Sequence, residues 1–138
     1  MGAELAARGF TVIDGVDLSE GMLKVARGKG VYRRLERADI TRPLPFAPGD
    51  HGAISCAGTF TAGHVGPEGI DPLLAAGGRG AYVVLTVLTQ VWNDMGFARH
   101  VAELTRQGAA ALVADRPDQT YHTSEPLTCR LVALRAER

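Results

Sequence analysis

Short apolar runs alternate with amphipathic stretches along the chain, and this alternation predicts its secondary structure. The apolar runs predict strands over residues 11–16, 34–38, 52–56, 81–87, 111–114 and 128–134. Good helix formers or a 3.6-residue apolar period predict helices over residues 1–9, 19–27, 71–76 and 93–107. Strands that alternate with helices indicate a mostly parallel α/β sheet. The last two strands have no helix between them and should form an antiparallel pair at one edge.

The segment 12–19 is the centre of this pattern, because a β-branched strand there ends in an acidic residue and leads directly into a helix. Ser19 is a favourable N-cap for that helix, and Glu20 follows in its first turn. Ligands of open α/β sheets bind outside the carboxyl ends of the strands, where an acidic residue commonly holds the ribose hydroxyls. Asp17 occupies that position. Taken alone, the segment is typical of a capped helix as well as of a nucleoside site.

Composition restricts the classes of function that the chain can have. It has 138 residues, 46% of them hydrophobic, which suits one globular domain with a substantial core. The net charge is zero and aromatic residues make up 6%, so nothing favours a nucleic-acid partner. No secretory leader or long apolar run is visible, and Cys56 and Cys129 lack metal-site spacing. These features predict a cytoplasmic protein without a membrane partner.

Three further side chains are candidate substrate contacts, and two of them have a plainer explanation. His64 lies in a glycine-rich loop, where a histidine more often packs or caps than acts as a base. Trp92 is more typical of a core anchor, and Phe60 is the third candidate. The four histidines show no metal spacing, so no metal site is predicted. Cys56 is expected to be a small buried hydrophobe and not a nucleophile.

A second acidic residue, Asp39, follows the next predicted strand in the segment ADIT (38–41). Together with VDLSEGML (16–23), LPF (44–46), AISCAGTFTAGHV (53–65), LLAAGGRGAYVVLTV (73–87) and VWNDMGF (91–97), this order and spacing resembles the class I S-adenosylmethionine-dependent methyltransferases. The run from residue 9 to residue 41 is especially similar to methyltransferases of the Williams–Beuren syndrome region type. The resemblance covers essentially the whole chain and implies a Rossmann-like methyltransferase sheet.

The resemblance also implies S-adenosylmethionine as cofactor and a small molecule as methyl acceptor. The implied cofactor site consists of Asp17, Leu18, Met22, Asp39, Ile40 and Ala57. In it the two carboxylates would accept hydrogen bonds from the ribose hydroxyls and the adenine amine. The three larger apolar side chains would cover the adenine, and the alanine would line the methionine end. No catalytic residue is assigned, because methyl transfer can be driven by orientation alone.

One departure from the resemblance is large. The family's first strand and its G-x-G-x-G turn are not found in the 138 residues. That strand would lie between the strands predicted at 11–16 and 52–56. The sheet is therefore expected to lack a central strand, which belongs to the N-terminal part of the fold. We therefore expect an impaired enzyme that self-associates through unpaired strands, unless the two flanking strands pair directly. Two alternatives stay open: a non-catalytic remnant that serves as a binding or structural module, and a fragment of an NAD-type Rossmann protein.

Overall fold

The computed structural model describes all residues from Met1 to Arg138. They form two compact units, Met1–Pro45 and Phe46–Arg138. The boundary falls inside the tract RPLPFAPGD (42–50), whose three prolines favour a loop.

The first unit contains two helices and a two-stranded parallel sheet. Its elements are α1 (Gly2–Ala7), β1 (Asp14–Asp17), α2 (Glu20–Gly28) and β2 (Arg34–Arg37). Strands β1 and β2 pair in parallel, from Asp14 opposite Arg34 to Asp17 opposite Arg37. Helix α2 buries Leu23 and exposes its charged residues. Its N-cap forms as predicted, since the Ser19 hydroxyl accepts a hydrogen bond from the backbone N–H of Met22 at 3.3 Å.

The second unit contains a four-stranded mixed sheet covered by helices. Its elements are β3 (Ala53–Phe60), a 3₁₀ turn (Pro67–Gly69), α3 (Ile70–Gly77), β4 (Tyr82–Leu88), α4 (Thr89–Asp94), α5 (Phe97–Arg106), β5 (Ala110–Thr120) and β6 (Thr128–Ala136). The strand order is β3-β4-β6-β5. Strands β3 and β4 are parallel, whereas β6 runs antiparallel to both β4 and β5.

The core of the second unit is built on the alternation of β4. Val83, Leu85 and Val87 are fully buried on one face, as the two-residue period of a strand requires. Phe97 of α5 packs edge-on against Phe60 of β3, with ring centroids 5.3 Å apart. Aromatic pairs of this geometry add to the stabilisation that burial provides. This core holds the end of β3, where Phe60 pairs with Val87, against β4.

The α/β class and the antiparallel pair at the C-terminal end are confirmed. Strand β6 lies between β4 and β5, so β5 is the edge strand and not residues 128–134. The prediction of a single helix over 93–107 is wrong. Two helices, α4 and α5, occupy this region and are separated by Gly96, whose φ of 81° is left-handed and interrupts the helix.

The sheets of the two units are separate. Strand β1 pairs only with β2, and β3 pairs only with β4, so the direct pairing of residues 11–16 with 52–56 does not occur. Each of these two strands therefore has one edge that forms no strand ladder. No helix combines the length and apolar character that crossing a membrane requires. No group of three or more potential metal-ligating side chains is present.

Candidate functional site

Asp17 is the last residue of β1 and lies at the carboxyl end of the parallel pair. Its Oδ1 accepts a hydrogen bond from the backbone N–H of Ser19 at 2.8 Å. This bond ties the carboxylate to the turn between β1 and α2 and fixes its orientation. Since an ionised carboxylate can accept several hydrogen bonds, Oδ2 stays available for donors outside the protein.

Asp39 lies at the same edge of the first unit. The backbone N–H of Ala38 donates to the carbonyl of Asp17 at 3.2 Å, so the two strand ends are directly joined. Oδ1 of Asp39 accepts from the backbone N–H and the hydroxyl of Thr41, at 2.9 and 2.7 Å. These hydrogen bonds, together with the charge of Arg42, lower the pKa of the Asp39 carboxyl, which is therefore ionised at neutral pH. Two oriented carboxylates thus share one edge.

Apolar side chains accompany the carboxylates. Leu18 and Met22 are 60% and 57% exposed, and they stand on either side of the Ser19 N-cap at the start of α2. Ile40, immediately after Asp39, is half-buried. An exposed apolar pair beside two acceptors suits a flat, partly polar ring such as adenine.

Arg37 is a residue of this edge that the sequence interpretation missed. Its Nε donates to the carbonyl oxygen of Leu18 at 3.0 Å, and it stands opposite Asp17 in the parallel ladder. The guanidinium therefore braces the turn that carries Asp17 and Leu18. The available signal was its place as the last residue of β2, although a basic residue at such a position is more often part of a solvated face.

In the second unit, Ala57 lies within β3 and not beyond its end. The ladder between β3 and β4 is interrupted between Cys56 and Phe60, and Gly58 has a φ of 81° there. The backbone N–H of Gly58 donates to the Thr86 hydroxyl at 3.4 Å. A Cβ added to Gly58 would lie 3.6 Å from the hydroxyl oxygen of Tyr121, so this side chain reaches the bulge. Ala57 itself is exposed beside the bulge.

His64 follows this strand end and has one side-chain partner. Its Nδ1 lies 2.7 Å from the Thr61 hydroxyl, and its backbone N–H donates to the Thr61 carbonyl at 3.3 Å. The imidazole is exposed, so Nε2 faces no protein partner. The structure thus places His64 at the carboxyl end of β3, with one ring nitrogen held and the other open.

Phe60 and Trp92 do not have the exposure that substrate contacts need. Phe60 is 0% exposed and belongs to the aromatic core, which corrects its place among the candidate contacts. Trp92 is 7% exposed, stacks on Phe97 with centroids 6.2 Å apart and lies under the guanidinium of Arg130. Both side chains stabilise the second unit.

The chemistry of the first unit fits an adenosine group. A nucleoside offers two ribose hydroxyls and one exocyclic amine as donors, and the edge offers the side-chain oxygens of Asp17 and Asp39 as acceptors. Its purine needs apolar cover, which Leu18, Met22 and Ile40 can supply. These residues are the ones that would hold the adenosine part of S-adenosylmethionine.

Comparisons with known proteins agree with this fold. No family model matches the chain. A segment of 92 residues, 66% of the chain, is 38% identical to human methyltransferase-like protein 27. That segment corresponds to 37% of the human protein, so the chain spans little more than a third of this relative.

Solved structures match nearly the whole chain at low sequence identity. An S-adenosylmethionine-dependent methyltransferase from Methanosarcina mazei superimposes with a TM-score of 0.74 at 12% identity, over 99% of this chain and 87% of that one. A geranyl diphosphate methyltransferase solved in complex with S-adenosylmethionine gives a TM-score of 0.65 at 12% identity, over 97% of this chain and 73% of that one. The chain therefore has the fold of the class I S-adenosylmethionine-dependent methyltransferases. In sequence, the chain is similar to human methyltransferase-like protein 27.

Proposed function

We propose that the protein is an S-adenosylmethionine-dependent methyltransferase that acts on a small-molecule acceptor. The observation that carries the proposal is the pair of oriented carboxylates, Asp17 and Asp39, on one strand edge with exposed Leu18 and Met22 beside them. The relative's name and the solved methyltransferases of the same fold support the same cofactor and reaction. The cofactor supplies a methyl group bound to a positively charged sulfur. The residues of the first unit bind and orient its adenosine part.

Binding of S-adenosylmethionine and of NAD should be compared directly, because both contain adenosine. We expect NMR titrations to show saturable shifts of residues 17–22 and 38–41 with S-adenosylmethionine and with adenosine. NAD at the same concentrations should give no tighter binding than adenosine. Tighter binding of NAD would favour a nicotinamide-nucleotide protein instead. If neither S-adenosylmethionine nor NAD binds, a non-catalytic module is favoured.

We further propose that the 138-residue polypeptide binds the cofactor weakly. It contains no G-x-G-x-G segment. In dinucleotide-binding and related folds, such a segment lets the backbone approach the ligand closely and presents N–H groups at a helix N-terminus. Adenosine and S-adenosylmethionine should then bind this polypeptide with similar affinity, since the methionine end finds few donors. Affinity for S-adenosylmethionine more than about tenfold above that for adenosine, a difference of about 1.4 kcal/mol, would contradict this proposal.

A further inference from the structure

One peptide group connects a charged side chain of β2 with the candidate ribose acceptor of β1. The carbonyl oxygen of Leu18 accepts a hydrogen bond from Nε of Arg37 at 3.0 Å. The N–H of the same peptide group belongs to Ser19 and donates to Oδ1 of Asp17 at 2.8 Å. A continuous series of hydrogen bonds therefore runs from the guanidinium through the Leu18–Ser19 peptide group to the carboxylate. All four residues belong to the first unit.

The two side chains match the polarity of this peptide group. A peptide dipole is negative at its oxygen and positive at its N–H, so the guanidinium lies at the negative end and the carboxylate at the positive end. Hydrogen bonds in series strengthen one another by polarisation. Because the peptide group is planar, its oxygen and its N–H turn together, and a rotation of the plane would break both bonds at once. Arg37 thus opposes the same rotation that would release the carboxylate of Asp17.

The backbone of the two strands holds this arrangement in place independently of the guanidinium. Arg37 stands opposite Asp17 in the parallel ladder, and the N–H of Ala38 donates to the Asp17 carbonyl at 3.2 Å. These backbone contacts do not involve the side chain of Arg37. Its replacement should therefore leave the pairing of β1 and β2 intact while freeing the Leu18–Ser19 peptide group.

Ordinary surface electrostatics do not account for the position of Arg37. Arg33 and Arg34 each form an ion pair with a carboxylate, whereas the partner of Arg37 is the Leu18 carbonyl. This carbonyl directly precedes the N-cap of α2. A helix N-terminus attracts anions and disfavours cations, so the guanidinium gains nothing from the helix. What it stabilises is the peptide group that holds Asp17.

We propose that Arg37 is the positioning residue of the ribose acceptor, and that the preference of the site for ribonucleosides depends on it. This inference rests on the function proposed above, in which Asp17 binds the ribose hydroxyls of S-adenosylmethionine. Arg37 orders the Leu18–Ser19 peptide group before the ligand arrives, so binding does not have to bear the entropic cost of ordering the carboxylate. Arg37 acts through this peptide group and not by contact with the ligand.

Adenosine and 2′,3′-dideoxyadenosine separate this role from a general structural one, because they differ only in the two ribose hydroxyls. Arg37→Met removes the donor and keeps a long, unbranched side chain. We expect NMR titration of Arg37→Met to show adenosine affinity lowered about threefold to tenfold, the usual cost of ordering one side chain. Its affinity for 2′,3′-dideoxyadenosine should equal that of wild type. Arg37→Lys, which retains a charged donor, should recover part of the lost adenosine affinity.

Arg34→Met is the matched control. Arg34 lies at the opposite end of β2, and its guanidinium also donates to a backbone carbonyl, that of Pro45, at 3.0 Å. This variant removes the same charge and a similar hydrogen bond away from the turn that carries Asp17. It should bind both nucleosides as wild type does.

Exchange of the Ser19 amide hydrogen with water tests the positioning role without any ligand. This hydrogen is protected by its bond to Asp17, and loosening the peptide group exposes it to exchange. We expect NMR to show faster exchange in Arg37→Met than in wild type and Arg34→Met. An unchanged exchange rate in Arg37→Met would overturn the proposal.

The titrations distinguish failure of this inference from failure of the proposed function. An equal loss of affinity for both nucleosides in Arg37→Met would overturn the inference, because it would show a general structural role. Equal adenosine affinities of Arg37→Met and Arg34→Met would also overturn it and would leave the proposed function intact. A wild-type chain that binds neither adenosine nor S-adenosylmethionine would refute the proposed function and the inference together.

Discussion

Asp17 divides its two oxygens between the fold and the proposed ligand. Oδ1 is engaged by Ser19 N–H, which holds the side chain in one orientation, and Oδ2 stays free. This fixed orientation lowers the entropic cost of binding, because the side chain is already ordered before the ligand arrives. The same residue therefore serves as a turn-stabilising group and as a candidate ribose acceptor.

Replacing Asp17 tests this double role. Asp17→Asn keeps the side-chain size but removes the charge, and we expect adenosine affinity to fall by about 1–3 kcal/mol, the range for losing charged hydrogen bonds. NMR titration measures the change. Asp94→Asn, at the exposed end of α4 in the second unit, is the matched control and should bind like wild type. Equal affinity of the Asp17 and Asp94 variants would exclude the proposed ribose contact.

Asp39 offers a test that depends on pH. The two hydrogen bonds from Thr41 stabilise its ionised form and lower its folded-state pKa. A lowered pKa contributes stability above the unfolded-state value, and this contribution is lost as pH falls through the folded-state value. Thr41→Val removes the hydroxyl donor, so the pKa of Asp39 should rise toward its ordinary value. A ¹³C NMR titration of the Asp39 carboxyl measures the change, and an unchanged pKa would contradict the role of the hydroxyl.

At the scale of elements, the sequence predicts most of the fold because the apolar patterns agree with local capping signals. The Ser19 cap and the strand end at Asp17 both occur where the residues indicate them. The helix over 93–107 fails for a physical reason. Its apolar period continues across Gly96, but that glycine adopts a left-handed conformation, which no periodicity analysis detects.

Gly96 provides a stability prediction at this scale. Gly96→Ala places a Cβ on a backbone with φ of 81°, and we expect it to destabilise the protein by about 1–2 kcal/mol. An added Cβ would meet only the end of the Arg99 side chain at 3.7 Å, so the cost comes from the backbone and not from a clash. The free energy of unfolding in urea measures it.

Gly28→Ala is the matched control, and its expected effect on stability has the opposite sign. Gly28 is the last residue of α2, has no positive φ, and an added Cβ would meet nothing within 4 Å. Alanine is the better helix former by up to about 1 kcal/mol, so this variant should be as stable as wild type or more stable. Equal destabilisation by both variants would show that the left-handed backbone of Gly96 is not the source of the lost stability.

The candidate site was less predictable than the fold, because side-chain exposure depends on tertiary packing. Phe60 and His64 are four residues apart, yet Phe60 is completely buried and His64 is exposed. Arg37 contacts the Leu18 carbonyl only because β1 and β2 pair in this register. The hydroxyls of Thr89 and Thr128 likewise come together only because β4 and β6 pair. Linear spacing could not indicate these neighbours.

At the scale of the whole molecule, the sheet of each unit has two outer strands, and each outer strand has one unpaired edge. Such edges are sites at which another copy of the chain can add a strand. The outer strand of the second sheet, β5, is protected by Pro117 and by two register shifts, whereas β3 pairs with β4 along one side only. We therefore expect the 138-residue polypeptide to self-associate through β3 or an outer edge of the first sheet, and not through β5.

Sedimentation velocity across a range of concentrations tests this expectation. Ser55→Lys adds a charge on the exposed face of β3, a common natural means of preventing edge association, and should shift the equilibrium toward monomer. Ala75→Lys adds the same charge on the exposed side of α3 and should leave the equilibrium unchanged. A wild-type chain that stays monomeric at all concentrations would contradict the expectation.

The burial of Trp92 has a spectroscopic consequence. It is the only tryptophan of the chain, and it lies in the core of the second unit under the guanidinium of Arg130. Its emission therefore reports the packing of its own neighbours in the second unit, Phe97 and Arg130. A shift of the emission maximum to longer wavelength during unfolding in urea would show when the core of the second unit becomes exposed to water.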